Sequence, residues 1–263
     1  MFVIEIPYMN LQQIYDTKQV PRWIKLKENK FVVIHKNKAL KIEQNKQRFI
    51  MNCSEEEFFK IWFNYFDLKT DYKECNDQIK RLGKKFKIVA NRGKGIHIVE
   101  QDPFESFIYS FAVKHFGYEK ASKAINHIAE ICGTKHVQAM REAGRVVWYE
   151  FPTPEMIIAN YGNLNRMGTL NIWLKSFCEV IIKRKFDFVG KSEIELFRLL
   201  CLHEFDKFPL NGIKEVLERN FECEAEDFAD IYLNKIENKG MAYMYILHHV
   251  LNPSKEMLYY GSY

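Results

Sequence analysis

The spacing of apolar residues changes near residue 100. Before it, short runs of β-branched and aromatic residues alternate with polar ones. "RWIKLKENKFVVI" (22–34) reads as two strands around a Glu-Asn-Lys turn, and "FVVIHKNKALKIEQ" (31–44) as a hairpin around Lys-Asn-Lys. "KGIHIV" (94–99) has the alternation of a last strand. Between them "SEEEFFKIWFNYF" (54–66) opens on Ser54 and Glu57 at capping-box spacing and continues apolar at helical period. After "QDPFES" the period is helical: residues 104–116, 119–133, 153–162, 169–185, 192–205, 212–221 and 225–251 all qualify. Thr153 before Pro154 is a start signal and Gly133 a stop signal. The pattern predicts an α+β chain: a small N-terminal antiparallel-sheet domain over 1–100, then an all-helical domain over 101–263.

Composition narrows this picture. Apolar residues make up 47 % of 263 positions, enough for a proper core, and aromatics at 15 % argue against disorder. No apolar run reaches the roughly 18 residues of a membrane helix, and the first residues lack a signal-peptide layout. A soluble, cytoplasmic protein without a membrane partner is expected. Cys53, Cys75, Cys132, Cys178, Cys201 and Cys223 form no C-x-x-C pair, which argues against a zinc site or an iron–sulfur cluster. Free thiols in a reducing compartment are expected, with no metal and no cofactor. The net charge of +5 is unevenly spread: residues 1–100 hold 20 Lys and Arg against 12 Asp and Glu, the rest 19 against 22. A basic N-terminal face can meet phosphates, although lysine-rich surfaces are common in soluble proteins.

Several stretches, in order along the chain, resemble the 8-oxoguanine DNA glycosylase family of the helix-hairpin-helix superfamily. "YDTKQVPRW" (15–23) is similar to that family's Phe-Asp-x-Gly-Gln-x-Phe-Arg-Trp opening. "ALKIEQ" (39–44), "WFNYFDLKTDY" (62–72) and "GKGIHIVEQDPFESFI" (93–108) resemble its N-terminal domain and the entry into its helices. "FPLN" (208–211) and "GMAYMYILHH" (240–249) fall where the family ends its catalytic segment and builds its base pocket. The resemblance implies a DNA partner and base flipping, since the reacting atoms are inaccessible within a stacked duplex. It also implies a Lys nucleophile, and an Asp that stabilises the positive sugar and shuttles protons.

At the positions that carry this chemistry the chain departs from the family. The family hairpin reads Leu-Pro-Gly-Val-Gly-x-Lys, with the Asp nineteen residues after the Lys. Counting back from "FPLN", the Lys position holds Ser192 and the Asp position Asn211. Asn211 has the shape of Asp without its charge or its proton chemistry. Ser192 has a structural reading as well: with Glu195 it forms a Ser-x-x-Glu capping box. Val189 and Gly190 retain the hairpin's second Val-Gly pair, and Lys191 is a possible substitute nucleophile that also faces DNA in this reading. Asp187 and Phe188 replace the hairpin's Pro and first Gly; an Asp there repels a phosphate and Phe lacks glycine's backbone freedom. In the base pocket, Lys18 stands for a Gly, Leu196 for a stacking Cys, Tyr243 for a Gln and Leu247 for a stacking Phe. Asn171 and Ile172 stand for the wedge Tyr and its Arg. Lys114 and His115 are candidate DNA contacts, with an equal reading as solvated helix ends.

Three functions remain open. The chain is a DNA-binding protein that no longer excises 8-oxoguanine and recognises or modifies another base. Or it is a catalytically inactive homologue that binds or inhibits a protein partner. Or it is an active glycosylase with substituted groups, Lys191 as amine and Glu193, Glu195 or Asp206 as carboxylate.

Overall fold

The computed structural model describes residues 1–140, 144–164, 167–184, 189, 192–221 and 223–253. Asp187, Phe188, Gly190 and Lys191 lie outside the described residues; Val189 is described as half-buried.

Five antiparallel strands form the first layer: β1 (Phe2–Glu5), β2 (Ile24–Lys27), β3 (Lys30–His35), β4 (Lys38–Asn45) and β5 (Arg48–Met51), in the order β1-β5-β4-β3-β2. The two expected turns close with Asn29 (φ 56°) and Lys36 (φ 53°) in the left-handed region. The short helix α1 (Leu11–Asp16), capped by Asn10, joins β1 to β2. β3 is buried on both faces. Phe31 and Val33 point into a core with Trp23, Phe49, Phe58 and Trp62, whereas Val32 and Ile34 point the other way. A strand covered on both sides reads as a continuous apolar run, and "FVVI" does.

What covers the outer face comes from the second half of the chain. A hairpin, β6 (Lys135–Met140) and β7 (Gly144–Tyr149), sets Met140, Val146 and Trp148 against Val32 and Ile34. The domain expected to be all-helical therefore contains a two-stranded sheet. Its strands were masked by charged and amide residues along β6 and by apolar residues on both faces of β7.

The stretch after β5 is helical, as expected, with Ser54 Oγ accepting from Glu57 N (3.1 Å). It runs as α2 (Glu55–Glu57), a π-helical segment (Phe58–Trp62) and α3 (Phe63–Tyr65). Helices α4 (Tyr72–Arg81) and α5 (Lys84–Arg92) follow and pack in the helical core, although they precede residue 100. That core is built by α6 (Pro103–Phe116), α7 (Tyr118–Cys132), α8 (Pro154–Ala159), α9 (Thr169–Arg184), α10 (Glu195–Leu202), α11 (Lys214–Asn220), α12 (Phe228–Tyr232) and α13 (Lys239–Leu251). Thr153 caps α8 as its sequence predicts, accepting from Met156 N (3.3 Å), and Gly133 ends α7. The helix expected over 225–251 is interrupted: α12 stops at Tyr232 and α13 starts at Lys239. Among the described residues no helix is long and apolar enough to cross a membrane.

Residues 93–95 form a turn, and 96–99 pair with no strand. Side chains take the place of a ladder: Ile98 N donates to Tyr72 Oη (3.0 Å), Val99 N to Gln19 Oε1 (3.0 Å), and Gln19 Nε2 to the His97 carbonyl (2.8 Å). The backbone groups are satisfied without a sheet, so the strand-like alternation misleads. This segment and the Arg22–Glu105 pair bind the two parts together. Arg22 Nε and Nη2 each lie 2.6 Å from a Glu105 carboxylate oxygen, and Nη1 donates to the Tyr149 carbonyl (2.6 Å).

Candidate functional site

The segment that holds Asn211 is fixed from behind. His203 ends α10 in the left-handed conformation (φ 52°), and Arg198 Nε reaches Glu204 Oε2 at 2.6 Å across the exit. The chain then returns beside α10. Gly240 N donates to the Phe205 carbonyl (2.8 Å), and a Cβ at Gly240 would strike the Leu199 side chain and come within 3.1 Å of the Lys207 carbonyl. A side chain there would require Leu199 to turn aside and the Lys207 carbonyl to shift by a few tenths of an ångström. Phe208 is buried, with its ring 5.3 Å from Phe228, and so pins the "FPLN" phrase into the core.

Asn211 sits half-buried in the turn that follows, with Gly212 at φ 77°. The Asn211 carbonyl accepts from the Tyr243 hydroxyl (3.0 Å), which is also hydrogen-bonded to the Tyr118 hydroxyl. A Cβ on Gly212 would lie 3.1 Å from the Tyr118 ring and 3.4 Å from Leu247. Asn211, Gly212, Tyr118, Tyr243 and Leu247 are therefore one packed cluster. Tyr118 and Tyr109 meet edge to face (6.4 Å), and the Tyr109 hydroxyl donates to the Lys18 carbonyl. Lys18 itself is at φ 61°, a conformation that suits the family's glycine and strains a lysine. Tyrosines thus join position 18 of the sheet domain to position 211 of the helical one. Sequence reasoning named neither Tyr109 nor Tyr118, because their partners are distant in sequence.

Burial pushes the Tyr118 and Tyr243 hydroxyls well above their usual range. Both stay protonated at neutral pH, so they act as hydrogen-bond donors and not as bases. Leu196, Tyr243 and Leu247 are each at most 1 % exposed, so the described conformation fills these three positions with its own side chains. A cleft of about 450 Å³ opens at the domain junction, lined by Arg22, Lys36, Glu105 and Glu150.

Ser192 is buried, and its Oγ accepts from Ile194 N at 3.3 Å. The expected capping box with Glu195 does not form: α10 starts at Glu195, with Ile194 in the cap position and no side-chain cap. The serine closes a local turn two residues ahead instead. A mixed charge cluster stands at this helix start. Burial holds the Glu195 carboxyl above the usual range, partly offset by Lys207, Arg198 and Lys114, with Asp206 adding to the rise. Lys207 Nζ pairs with Asp206 (2.8 Å).

Lys114 and His115 are exposed on the last turn of α6, where cations suit the helix dipole. Phe111, one turn earlier, contacts the His115 ring (4.3 Å) and stacks on Trp173 (3.6 Å). Asn171 Nδ2 donates to the Leu164 carbonyl (2.6 Å), and Ile172 beside it is 67 % exposed.

Residues 2–107 match the family model described as the N-terminal domain of 8-oxoguanine DNA glycosylase. Among curated protein sequences no match is found. Solved structures with the same fold include MBOgg1 in complex with a low-affinity DNA ligand: TM-score 0.83, 20 % identity, 97 % of this chain and 95 % of that one. The apo form of Clostridium acetobutylicum 8-oxoguanine glycosylase/lyase gives a TM-score of 0.78 at 20 % identity, over 93 % of each chain. The 3-methyladenine DNA-glycosylase of Archaeoglobus fulgidus gives 0.68 at 14 %, over 97 % of this chain and 100 % of that one. Residues 2–107 thus match the N-terminal domain of 8-oxoguanine DNA glycosylase, and the whole chain shares the fold of these glycosylases over nearly its full length.

Proposed function

We propose that this chain binds DNA through its helical domain and does not excise 8-oxoguanine by lysine–aspartate chemistry, and that it recognises or modifies another base. The observation that carries the reading is the Asn211 turn. Its side chain is an uncharged amide, its carbonyl is held by Tyr243, and the neighbouring positions 196, 243 and 247 are filled. A carboxylate facing a developing positive sugar in a dry site lowers the barrier by several kcal/mol, and an amide does not replace it. A serine hydroxyl cannot form an imine, so Ser192 does not supply the nucleophile's chemistry. DNA binding is supported by the shared fold: the Clostridium acetobutylicum enzyme is also solved on double-stranded DNA containing cytosine opposite 8-oxoG (TM-score 0.77, 21 % identity).

The test is anisotropy of labelled duplexes, plain and carrying 8-oxoguanine, at several salt concentrations, with borohydride trapping on the same substrates. The expected result is binding that weakens steeply with salt, without a trapped adduct or released base. Absence of DNA binding at low salt would overturn the reading in favour of a protein partner. A second reading, an active glycosylase with substituted groups, is favoured by one observation: Glu195 is a carboxyl raised by burial beside amines. A trapped adduct lost in Glu195→Gln would establish it.

A further inference from the structure

Residues 78–99 contain seven Lys and Arg and no Asp or Glu. Four of these cations have local uses. Lys80 lies 3.2 Å from Asp77 and Arg81 3.6 Å from Glu74. Arg92 turns inward to His249 Nδ1 (2.6 Å) and the Asn252 carbonyl (2.5 Å). Lys85 donates to the Asn220 carbonyl and lies over the Phe221 ring. Lys84, Lys87 and Lys94 are left exposed. Lys84 and Lys87 are three residues apart on α5 and so share a face. Lys94 follows just past the helix end, its ammonium 4.7 Å from the Tyr8 ring centre. From Lys84 to Lys94 is roughly 15 Å at helical rise, a length over which one duplex strand presents about four phosphates.

This face is not the one that holds Asn211. On α13, Tyr243 meets Tyr118 and Asn211. Tyr245, about 200° further round the helix, occupies the space a side chain at Gly93 would need, on the side where α5 packs. α13 therefore stands between α5 and the Asn211 turn. Lys114 is within electrostatic reach of Glu195 at the start of α10.

We propose that the exposed face of α5, with Lys94, is a second surface for the phosphate backbone of nucleic acid, separate from the Asn211 side. It holds a second duplex segment while the first occupies the helical domain. The charge run fits a polyanion: three exposed lysines, one of them resting over the Tyr8 ring, and no acid within residues 78–99. The inference rests on the DNA-binding reading above.

The test uses the full chain and the variant Lys84→Gln/Lys87→Gln/Lys94→Gln, all exposed positions, with circular dichroism to verify the fold. Binding of a fluorescent duplex is measured against salt, and an immobilised duplex loaded with protein is challenged with a second, labelled duplex. The wild-type protein is expected to capture the second duplex and the variant not to. The variant's slope of log affinity against log salt is expected to fall by about 2–3 at roughly 0.9 per phosphate contact. The Lys114→Gln/His115→Gln variant is expected to weaken the first duplex and leave the α5 contribution in place. First-duplex binding without capture of the second, or an unchanged slope in the triple variant, overturns this inference and leaves the DNA reading standing. No duplex binding by the wild type overturns both. Loss of adhesion to phosphatidylserine vesicles in the triple variant, with its DNA slope unchanged, assigns the face to an anionic lipid surface and overturns the nucleic-acid assignment.

Discussion

The Arg22–Glu105 pair offers the most quantitative test of how the two parts are held. Its side chains are 5 % and 10 % exposed, both N–O distances are 2.6 Å, and the remaining guanidinium nitrogen is taken by the Tyr149 carbonyl. Glu105→Ala leaves a buried guanidinium without its counter-charge, a loss of about 3–5 kcal/mol; Glu105→Gln keeps one acceptor and belongs at the lower end. For a chain of this size that corresponds to a Tm lower by roughly 6–20 °C. The double replacement Arg22→Met/Glu105→Leu removes both charges together. It gives up the Tyr149 hydrogen bond, about 1 kcal/mol, and returns to within about 2 kcal/mol of the parent. Urea unfolding followed by circular dichroism and tryptophan fluorescence measures all four proteins, provided the two probes coincide. Single variants within about 1 kcal/mol of the parent would mean that water reaches the pair. A double variant as damaged as Glu105→Ala would mean that the ion pair itself stabilises the junction, against the reasoning.

Three further outcomes follow from the same geometry. Tyr243→Phe leaves the buried Tyr118 hydroxyl and the Asn211 carbonyl short of a partner and is expected to lower unfolding free energy by about 1–3 kcal/mol, read from urea curves. Lys18→Gly relieves a left-handed lysine worth about 1–2 kcal/mol but loosens the unfolded chain; a net change within about 1 kcal/mol is expected, and a larger loss would give the lysine side chain a structural role. His97, His248 and His249 are pushed down to about 4, by burial foremost, with Arg92 adding to the shift of the last two. The unfolded histidines bind protons first, so the stability present above about pH 6.5 is lost as pH falls toward 4. His97 alone accounts for about 3 kcal/mol, and His97→Gln is expected to flatten the urea midpoint against pH; an unchanged slope would remove His97 from the effect.

Local signals carried most of the fold. The turns at Asn29 and Lys36 and the caps at Ser54 and Thr153 need only neighbouring residues, and all four form. One failure comes from partners far away in sequence, another from a competing local turn. Residues 94–99 alternate like a strand, but their backbone groups go to Gln13, Gln19 and Tyr72. Ser192 has capping-box spacing, yet it turns onto Ile194. "EAG" before "RVVWY", with Gly144 at φ 71°, was the available signal for the β6–β7 hairpin. At the candidate site, positions 192 and 211 could be found by counting along the resemblance. What surrounds Asn211 could not, since Tyr118 and Tyr243 are 125 residues apart.

The hairpin that covers β3 also sets a timetable. Val32 and Ile34 leave the ribosome long before Met140, Val146 and Trp148, which shield them in the finished molecule. At roughly 5–20 residues per second the sheet waits about 6–20 s with an apolar face open. During synthesis the nascent sheet is thus a client for holding chaperones, and residues 1–100 made alone would carry that adhesive face permanently.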